Sequence, residues 1–163
     1  MVTLTSSDGR VPHWVRVVTI LTIAVPQIVT GAWAVVAPQH WFDHFPGVGP
    51  LLVASEPPFN AHLASDAGSG FLATGIAVAI AALIARRQLL LFALAIFAIG
   101  VIPHVLYHLT NPAPGLTDTE NIVNVMMLMS GLAVAGVCAW GTWRPAGPAG
   151  SGPAVETTHA TGI

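Results

Sequence analysis

Long apolar runs separated by short polar segments dominate the pattern of this chain. We place four such runs at about residues 14–37, 60–85, 88–109 and 119–143. Each is close to the ~20 apolar residues that an α-helix needs to cross a membrane. The first run is longer than the about 7–15 apolar residues of a secretory signal peptide, so we predict a retained helix. The pattern therefore predicts an all-α fold, an antiparallel four-helix transmembrane bundle.

Polar segments around the runs predict how the chain is organised. Residues 1–12 are expected to form a flexible tail and residues 13–145 the transmembrane domain. Residues 146–163 are rich in Ala, Gly, Pro, Ser and Thr, which is typical of a disordered tail. The turn at Arg86 and Arg87 is too short for anything but an antiparallel hairpin between the second and third runs.

Two features predict departures from a plain bundle. Pro26 lies near the middle of the first run, where it is expected to kink the helix. The segment from Pro38 to Phe59 is long for a connection and rich in aromatic residues. Such residues collect at the level of the lipid headgroups, so we expect a short surface helix or a cap over the bundle.

Composition supports a membrane protein and excludes a soluble domain. The chain is 54% hydrophobic and only 7% charged, whereas a soluble domain has about 25% charged residues. Its formal net charge is −2 and it shows no basic patch, so no nucleic-acid partner is indicated. Cys138 is the only cysteine, which leaves no internal disulfide and makes thiolate metal chemistry an unfavoured hypothesis.

All basic residues fall on one side of the predicted bundle. With four spans, both termini and the turn between the second and third runs share a side. The positive-inside rule assigns that side to the cytoplasm, so we predict a multi-pass protein of the cell (inner) membrane with both termini inside (N-in/C-in). The basic residues are Arg10, Arg16, Arg86, Arg87 and Arg144.

Polar residues in three of the runs are spaced to lie near the opposite end. Residues four apart share one helical face, and ionisable groups inside a membrane are costly unless they face a partner or a cavity. Counting residues from the arginines places these groups in two stacked layers, about one turn apart. The inner layer contains Asp66, His104 and Asn124, and the outer layer contains His62, His108 and Glu120.

A cluster of imidazoles and carboxylates suits a transition metal ion such as iron, copper or zinc. Ligands from facing helices are a familiar way to build such a site in a four-helix bundle. The predicted metal ligands are His62, Asp66, His104, His108 and Glu120. Haem held by His62 and His104 is the alternative form of the site.

Further residues have predicted roles around this centre. Asp66 and Glu120 are candidate catalytic proton acceptors as well as ligands. Asn124 and Tyr107 are candidates for orienting the ligands through hydrogen bonds. The first loop faces the same side of the membrane and offers three further candidate contributors: His40, Asp43 and His44.

Simpler structural roles explain the same residues. The histidines of the third run would then sit at the membrane interface with their ring tips in water. Asp66 and His104 would form a structural hydrogen bond between helices. Glu120 suits the positive end of a helix dipole, after an N-cap at Thr117 or Asp118.

Several short motifs follow one another in order along residues 14–143. They are Trp33, Pro38, Phe42-Asp43, Phe45-Pro46-Gly47, then Pro58-Phe59-Asn60-Ala61-His62-Leu63, Asp66-Ala67-Gly68, and Pro103-His104 with His108. In this order the chain resembles small four-span proteins of actinobacterial type, which are loosely similar to DoxX-like membrane proteins. Some DoxX-type proteins are associated with quinone-linked or sulfur-linked redox chemistry. The resemblance therefore implies a redox function by analogy of fold.

Three functional hypotheses follow from these patterns. The first is redox chemistry at a metal site on a small or lipid-soluble substrate, which would make the protein a metal-dependent membrane oxidoreductase. The second is an accessory subunit of a larger membrane complex, or a homo-oligomer, whose small-residue faces pack on partners. The third is a pocket for a lipid or a small molecule, with the polar cluster at its mouth. The sequence leaves open whether the protein is an enzyme.

Overall fold

The computed structural model describes residues 9–143. Four helices in this range are long and apolar enough to cross a membrane: span 1 His13–Val36, span 2 Ala61–Ile84, span 3 Arg87–Thr110 and span 4 Asp118–Gly141. A short helix, Pro38–His44, follows span 1. The predicted all-α four-helix bundle is confirmed, and its spans indicate an integral membrane protein in a lipid bilayer. The predicted disordered tail at residues 146–163 lies outside the described residues.

Helix boundaries follow the change from apolar to polar sequence. The predicted runs begin and end within one or two residues of the helices. Span 2 begins after Asn60, whose side-chain oxygen accepts a hydrogen bond from the Leu63 N–H at 3.1 Å. Span 2 ends at Ala85, a non-glycine residue with a φ of 60° in the left-handed region.

The two ends of the bundle differ in chemistry. The arginine end contains the start of span 1, the turn between spans 2 and 3, and the described basic residues Arg10, Arg16, Arg86 and Arg87. The histidine end contains the short helix, the loop between spans 3 and 4, and the residues His40, His44, His62, His104 and His108.

Part of the expected N-terminal tail is bound to the bundle. The Val11 N–H donates to the Ala85 carbonyl at 2.9 Å, and the Arg87 N–H donates to the Gly9 carbonyl at 2.9 Å. These bonds use backbone groups of the turn between spans 2 and 3, which would otherwise lack a partner. Residues 9 and 11 are therefore held against this turn by backbone hydrogen bonds.

Span 1 changes its helix type where a kink was expected. Its α-helical segments His13–Thr19 and Val25–Val36 are separated by a π-helical turn at Ile20–Ala24. Pro26 has no N–H to donate, and its ring crowds the carbonyl four residues earlier. A π-helical turn is a known way to accommodate such an irregularity inside a helix.

Spans 1 and 2 pack closely through small residues. A Cβ atom added at Gly68 would lie 2.7 Å from the Cβ of Ala34 and 3.0 Å from the Gly31 carbonyl oxygen. Only glycine allows this approach of two backbones, which is the usual role of small residues in membrane helix pairs. The small residues of the second run therefore mark the face of span 2 that contacts span 1.

The apolar interior is divided along the membrane normal. At the arginine end, all four spans contribute buried side chains to one core, which includes Val15, Val78, Leu90 and Cys138. At the histidine end, a second core joins spans 1 and 2 to the short helix through Ala34, Trp41 and Ala64. Spans 3 and 4 contribute nothing to this second core among the described residues.

Candidate functional site

The polar pair of span 2 points away from the core. His62 Nε2 lies 3.3 Å from Asp66 Oδ2, and the two side chains are 82% and 63% exposed. The core face of span 2 is occupied by Ala64 and Gly68, which pack against span 1. His62 and Asp66 lie on roughly the opposite face, since a helix turns by about 100° per residue.

The histidines of span 3 are arranged differently. The ring centroids of His104 and His108 are 4.8 Å apart and the rings are nearly perpendicular. His104 is exposed, whereas Nδ1 of His108 is buried and has no hydrogen-bond partner among the described residues. The ring of Tyr107 contacts His108 edge-on at 5.4 Å. The orienting hydrogen bond expected of Tyr107 stays a prediction.

The Glu120 side chain makes its hydrogen bonds at the N-terminus of span 4. Its Oε2 accepts hydrogen bonds from the Thr117 N–H and from Thr117 Oγ1, both at 2.8 Å. Thr117 Oγ1 in turn accepts a bond from the Glu120 N–H at 3.3 Å. This reciprocal pattern is a capping box. Glu120 thus has the simpler structural role that its place in the first turn favours.

Asn124 lies one turn further along span 4 and is buried, with 6% of its surface exposed. Its side chain makes no hydrogen bond with any residue in the range 9–143. Asn124 is therefore a candidate for contact with a bound molecule.

The candidate residues of the first loop, His40, Asp43 and His44, make their contacts within the short helix and with span 1. His40 Nδ1 accepts a hydrogen bond from Trp33 Nε1 at 3.0 Å, and the rings of His40 and His44 are stacked at 4.3 Å. Gln39 Nε2 donates to both carboxylate oxygens of Asp43 at 3.0 Å. These contacts hold the short helix together and fix His40 against span 1.

The expected grouping of metal ligands does not occur in the described part of the chain. Among residues 9–143, no three His, Cys, Asp or Glu side chains lie close enough together to hold a metal ion. Two of the predicted ligand pairs stay within their own helices, and Glu120 is engaged in its cap. Iron, copper or zinc binding by His62, Asp66, His104, His108 and Glu120 therefore stays a prediction.

A crevice at the histidine end is indicated by the faces of span 3. His104 follows Phe97 by seven residues and Leu90 by fourteen, so the three side chains share one face. Leu90 and Phe97 are buried in the core, whereas His104 is exposed. The face that packs inward at the arginine end is therefore open at the histidine end.

Helix contacts explain this opening. The half of span 1 at Val25–Val36 contacts span 2 and the short helix, and within residues 9–143 it makes no contact with span 3 or span 4. Span 4 reaches span 1 only at His13–Ala24. Spans 1 and 2 thus form one pair and spans 3 and 4 another, and at the histidine end the helix of span 1 contacts neither member of the second pair among the described residues.

The crevice between the two pairs has a floor and a roof. At the floor, the Phe97 ring packs on Gly131, where an added Cβ would lie 3.4 Å from Phe97 Cζ. At the roof the two loops of the histidine end meet, since a Cβ at Gly115 would lie 2.9 Å from the Cα of Ser55. We call this space "the crevice". His104 lies on the face of span 3 that carries Phe97, and Met127, one turn before Gly131, lies on the face of span 4 that carries Gly131.

Sequence reasoning gave no role to Glu56, which follows Ser55 in the roof. Its Oε1 is buried and has no hydrogen-bond partner among residues 9–143. The available signal was an acidic residue before two prolines in an otherwise apolar loop, Glu56-Pro57-Pro58. A buried carboxylate oxygen without a partner makes Glu56 a further candidate for ligand contact.

Comparison with known proteins adds no homologue to this picture. No family model, no curated protein and no solved structure matches the chain.

Proposed function

We propose that this protein binds a small or lipid-soluble molecule in the crevice at the histidine end. The observation that carries this proposal is the exposure of His104 on the same helical face that buries Leu90 and Phe97. Ligand sites between the helices of a bundle are mostly apolar, with a few polar groups that orient the ligand. The crevice has this composition.

The polar groups at the histidine end suit a ligand with a hydrogen-bonding head. Nδ1 of His108 and Oε1 of Glu56 are buried without partners, and the Asn124 amide makes no hydrogen bond with the described residues. Each of these groups would gain free energy from a partner supplied by a ligand. The apolar floor at Phe97 and Gly131 would hold the remainder of the molecule.

Orientation in the membrane belongs to the same proposal. Arg10, Arg16, Arg86 and Arg87 lie at one end, and the positive-inside rule places such an end in the cytoplasm. The crevice would then open toward the outer leaflet of the cell membrane. Its ligand would come from that leaflet or from the outer aqueous phase.

Two adjacent methionines provide a matched test. Met127 borders the crevice, whereas Met126 is rotated by about 100° toward the lipid; both are exposed. Small molecules that co-purify in mild detergent would be extracted and identified by mass spectrometry. We expect Met127→Trp to lose a species that the wild type and Met126→Trp retain. Equal retention in all three proteins would contradict the proposal.

Redox chemistry with a transition metal is an extension of this function. The specific support is the pair of imidazoles, His104 and His108, at 4.8 Å in an accessible place. Two histidines with open coordination positions suit iron or copper, with the ligand or water completing the site. The resemblance to DoxX-like proteins would then favour a quinone-like substrate. Elemental analysis of His104 and Asp66 variants tests this extension.

A role as an accessory subunit or homo-oligomer has separate support on span 2. The exposed pair His62 and Asp66 continues along the same face into the exposed small residues Gly70, Ala73 and Ala77. Such a face allows another helix to approach closely. Gly70→Leu would then weaken an oligomer detected by light scattering without lowering the thermal stability of the monomer, and an unchanged mass would contradict this role.

A further inference from the structure

The arginine end has a groove that none of the functions above uses. It has a volume of about 1290 Å³ and lies where the N-terminal segment crosses the turn between spans 2 and 3. Its basic lining comes from Arg10, Arg86 and Arg87. Sequence analysis predicted no basic patch, because Arg10 is far from the other two along the chain. The bridge between Arg10 and Arg86 brings them together.

These arginines have no acidic partner in the described part of the chain. The one ion pair within residues 9–143 is His62–Asp66 at the histidine end. Every Asp and Glu in that range lies at the histidine end: in the short helix, in the loop after it, or in the first turns of span 2 or span 4. The side chains of Arg10 and Arg86 also make no hydrogen bond with these residues. Among residues 9–143, no acidic side chain offsets the positive charge of the groove.

The third arginine is positioned by an aromatic ring. The Arg87 Cζ lies 3.4 Å from the centroid of the Trp143 ring, which places the guanidinium on the ring face. This contact occupies one face of the guanidinium and leaves its N–H groups able to bind an anion in its plane. Trp143 itself lines the groove and is exposed.

Apart from Gln88 and the arginines, the side chains that line the groove are apolar. Ile84 and Phe92 line the groove and are largely exposed. Ile84 is the last residue of span 2 and Phe92 lies in the second turn of span 3, close to the depth at which the acyl region meets the headgroups. A charged inner part and an apolar outer part complement a phosphate attached to acyl chains. A free anion would use the arginines alone.

We propose that this groove binds the phosphate of an anionic phospholipid, with the acyl chains lying along Phe92 and Ile84. Basic pockets at the cytoplasmic side of membrane helices recognise lipid headgroups by this chemistry. The inference is independent of the crevice, because the groove lies at the other end of the bundle. Failure of one proposal leaves the other untouched.

The test uses the full chain in nanodiscs of equimolar phosphatidylglycerol and phosphatidylcholine. Native mass spectrometry of the released protein measures which lipid remains bound. We expect the wild type to retain phosphatidylglycerol preferentially, and Arg86→Gln and Arg10→Gln each to lower that retention about fivefold. Arg16→Gln is the matched control, because Arg16 donates to the Ala82 carbonyl at 2.9 Å and does not line the groove.

Three outcomes would overturn the proposal. The first is equal retention of the two lipids by the wild type. This outcome does not depend on whether any variant folds. The second is a loss in Arg16→Gln as large as in Arg86→Gln, which would indicate general attraction of charge. The third is displacement of the lipid by excess inorganic phosphate together with unchanged retention in Phe92→Ala, which would assign the groove to free phosphate.

Discussion

His62 and Asp66 form an ion pair at 3.3 Å on the exposed face of span 2, one turn from the start of the helix. Exposed pairs of this kind contribute little to stability, because solvent screens them and ordering two side chains costs entropy. The pair therefore serves recognition or solvation at the histidine end better than it serves folding.

Asp66→Asn is accordingly expected to change the free energy of unfolding by no more than about 0.5 kcal/mol. Thermal unfolding in mild detergent would measure the effect, with Asp43→Asn as a comparison in the short helix. A destabilisation several times larger would place Asp66 in a buried polar network, as the predicted inner layer with His104 and Asn124 requires.

The capping box of span 4 makes a second prediction. Thr117→Ala should destabilise the protein by about 1 kcal/mol, because it removes the acceptor of the Glu120 N–H bond. Thr119→Ala, in the same turn, removes a hydroxyl that takes no part in the box. Thermal unfolding compares the two variants.

As part of this second prediction, Glu120→Gln separates the capping role of Glu120 from metal ligation. Glutamine also completes a capping box, so this variant should keep most of the wild-type stability. A neutral amide is a poor metal ligand, so a large loss of bound metal in Glu120→Gln would show that the carboxylate has the ligand role predicted from sequence.

Helix number and order were predictable from this sequence because a membrane span must satisfy its backbone groups internally and so appears as a long apolar run. Depth along the membrane normal follows from counting residues. Counting does not give the rotation of each helix about its own axis. The predicted layers of polar residues depended on that rotation. In span 2 the small residues Ala64, Gly68 and Gly75 mark the packing face, and His62 and Asp66 lie away from it.

Whether the other features could be predicted depended on whether they arise from local sequence or from long-range contacts. The capping box was recognisable, since Thr117 and Glu120 have the required spacing. The separation of the helix pairs was not, because it depends on which halves of spans 1 and 4 touch. The arginine groove likewise depends on a contact between Arg10 and Arg86 that no local pattern indicates.

Two glycines of span 2 give a third prediction. Gly68→Ala should destabilise the protein by about 1–3 kcal/mol, because the added methyl group would lie 2.7 Å from the Cβ of Ala34. Gly70→Ala should be neutral or stabilising by up to about 1 kcal/mol, since alanine is the better helix former and nothing lies within 4 Å of the added atom. Thermal unfolding distinguishes them, and equal effects would contradict the packing of spans 1 and 2.

Metal content gives a fourth prediction. His104 and His108 lie together, whereas Asp66 is paired with His62 on another face. An ion held by the two imidazoles of span 3 should therefore be lost in His104→Ala and retained in Asp66→Ala. Elemental analysis of protein purified in mild detergent measures this. Loss in both variants would favour the predicted cluster, and equally little metal in the wild type and both variants would contradict the metal function.

Cysteine labelling tests the crevice and the orientation together. In a Cys138→Ala background, His104→Cys should react with a membrane-impermeant maleimide in intact cells, because His104 is exposed at the end proposed to face outward. Val105→Cys is the neighbouring control, and it should be protected because Val105 is 6% exposed. Gln88→Cys, at the arginine end, should react only after the cells are permeabilised. Labelling of Gln88→Cys in intact cells with protection of His104→Cys would reverse the orientation. Equal labelling of His104→Cys and Val105→Cys would contradict the separation of the two helix faces on which the crevice depends.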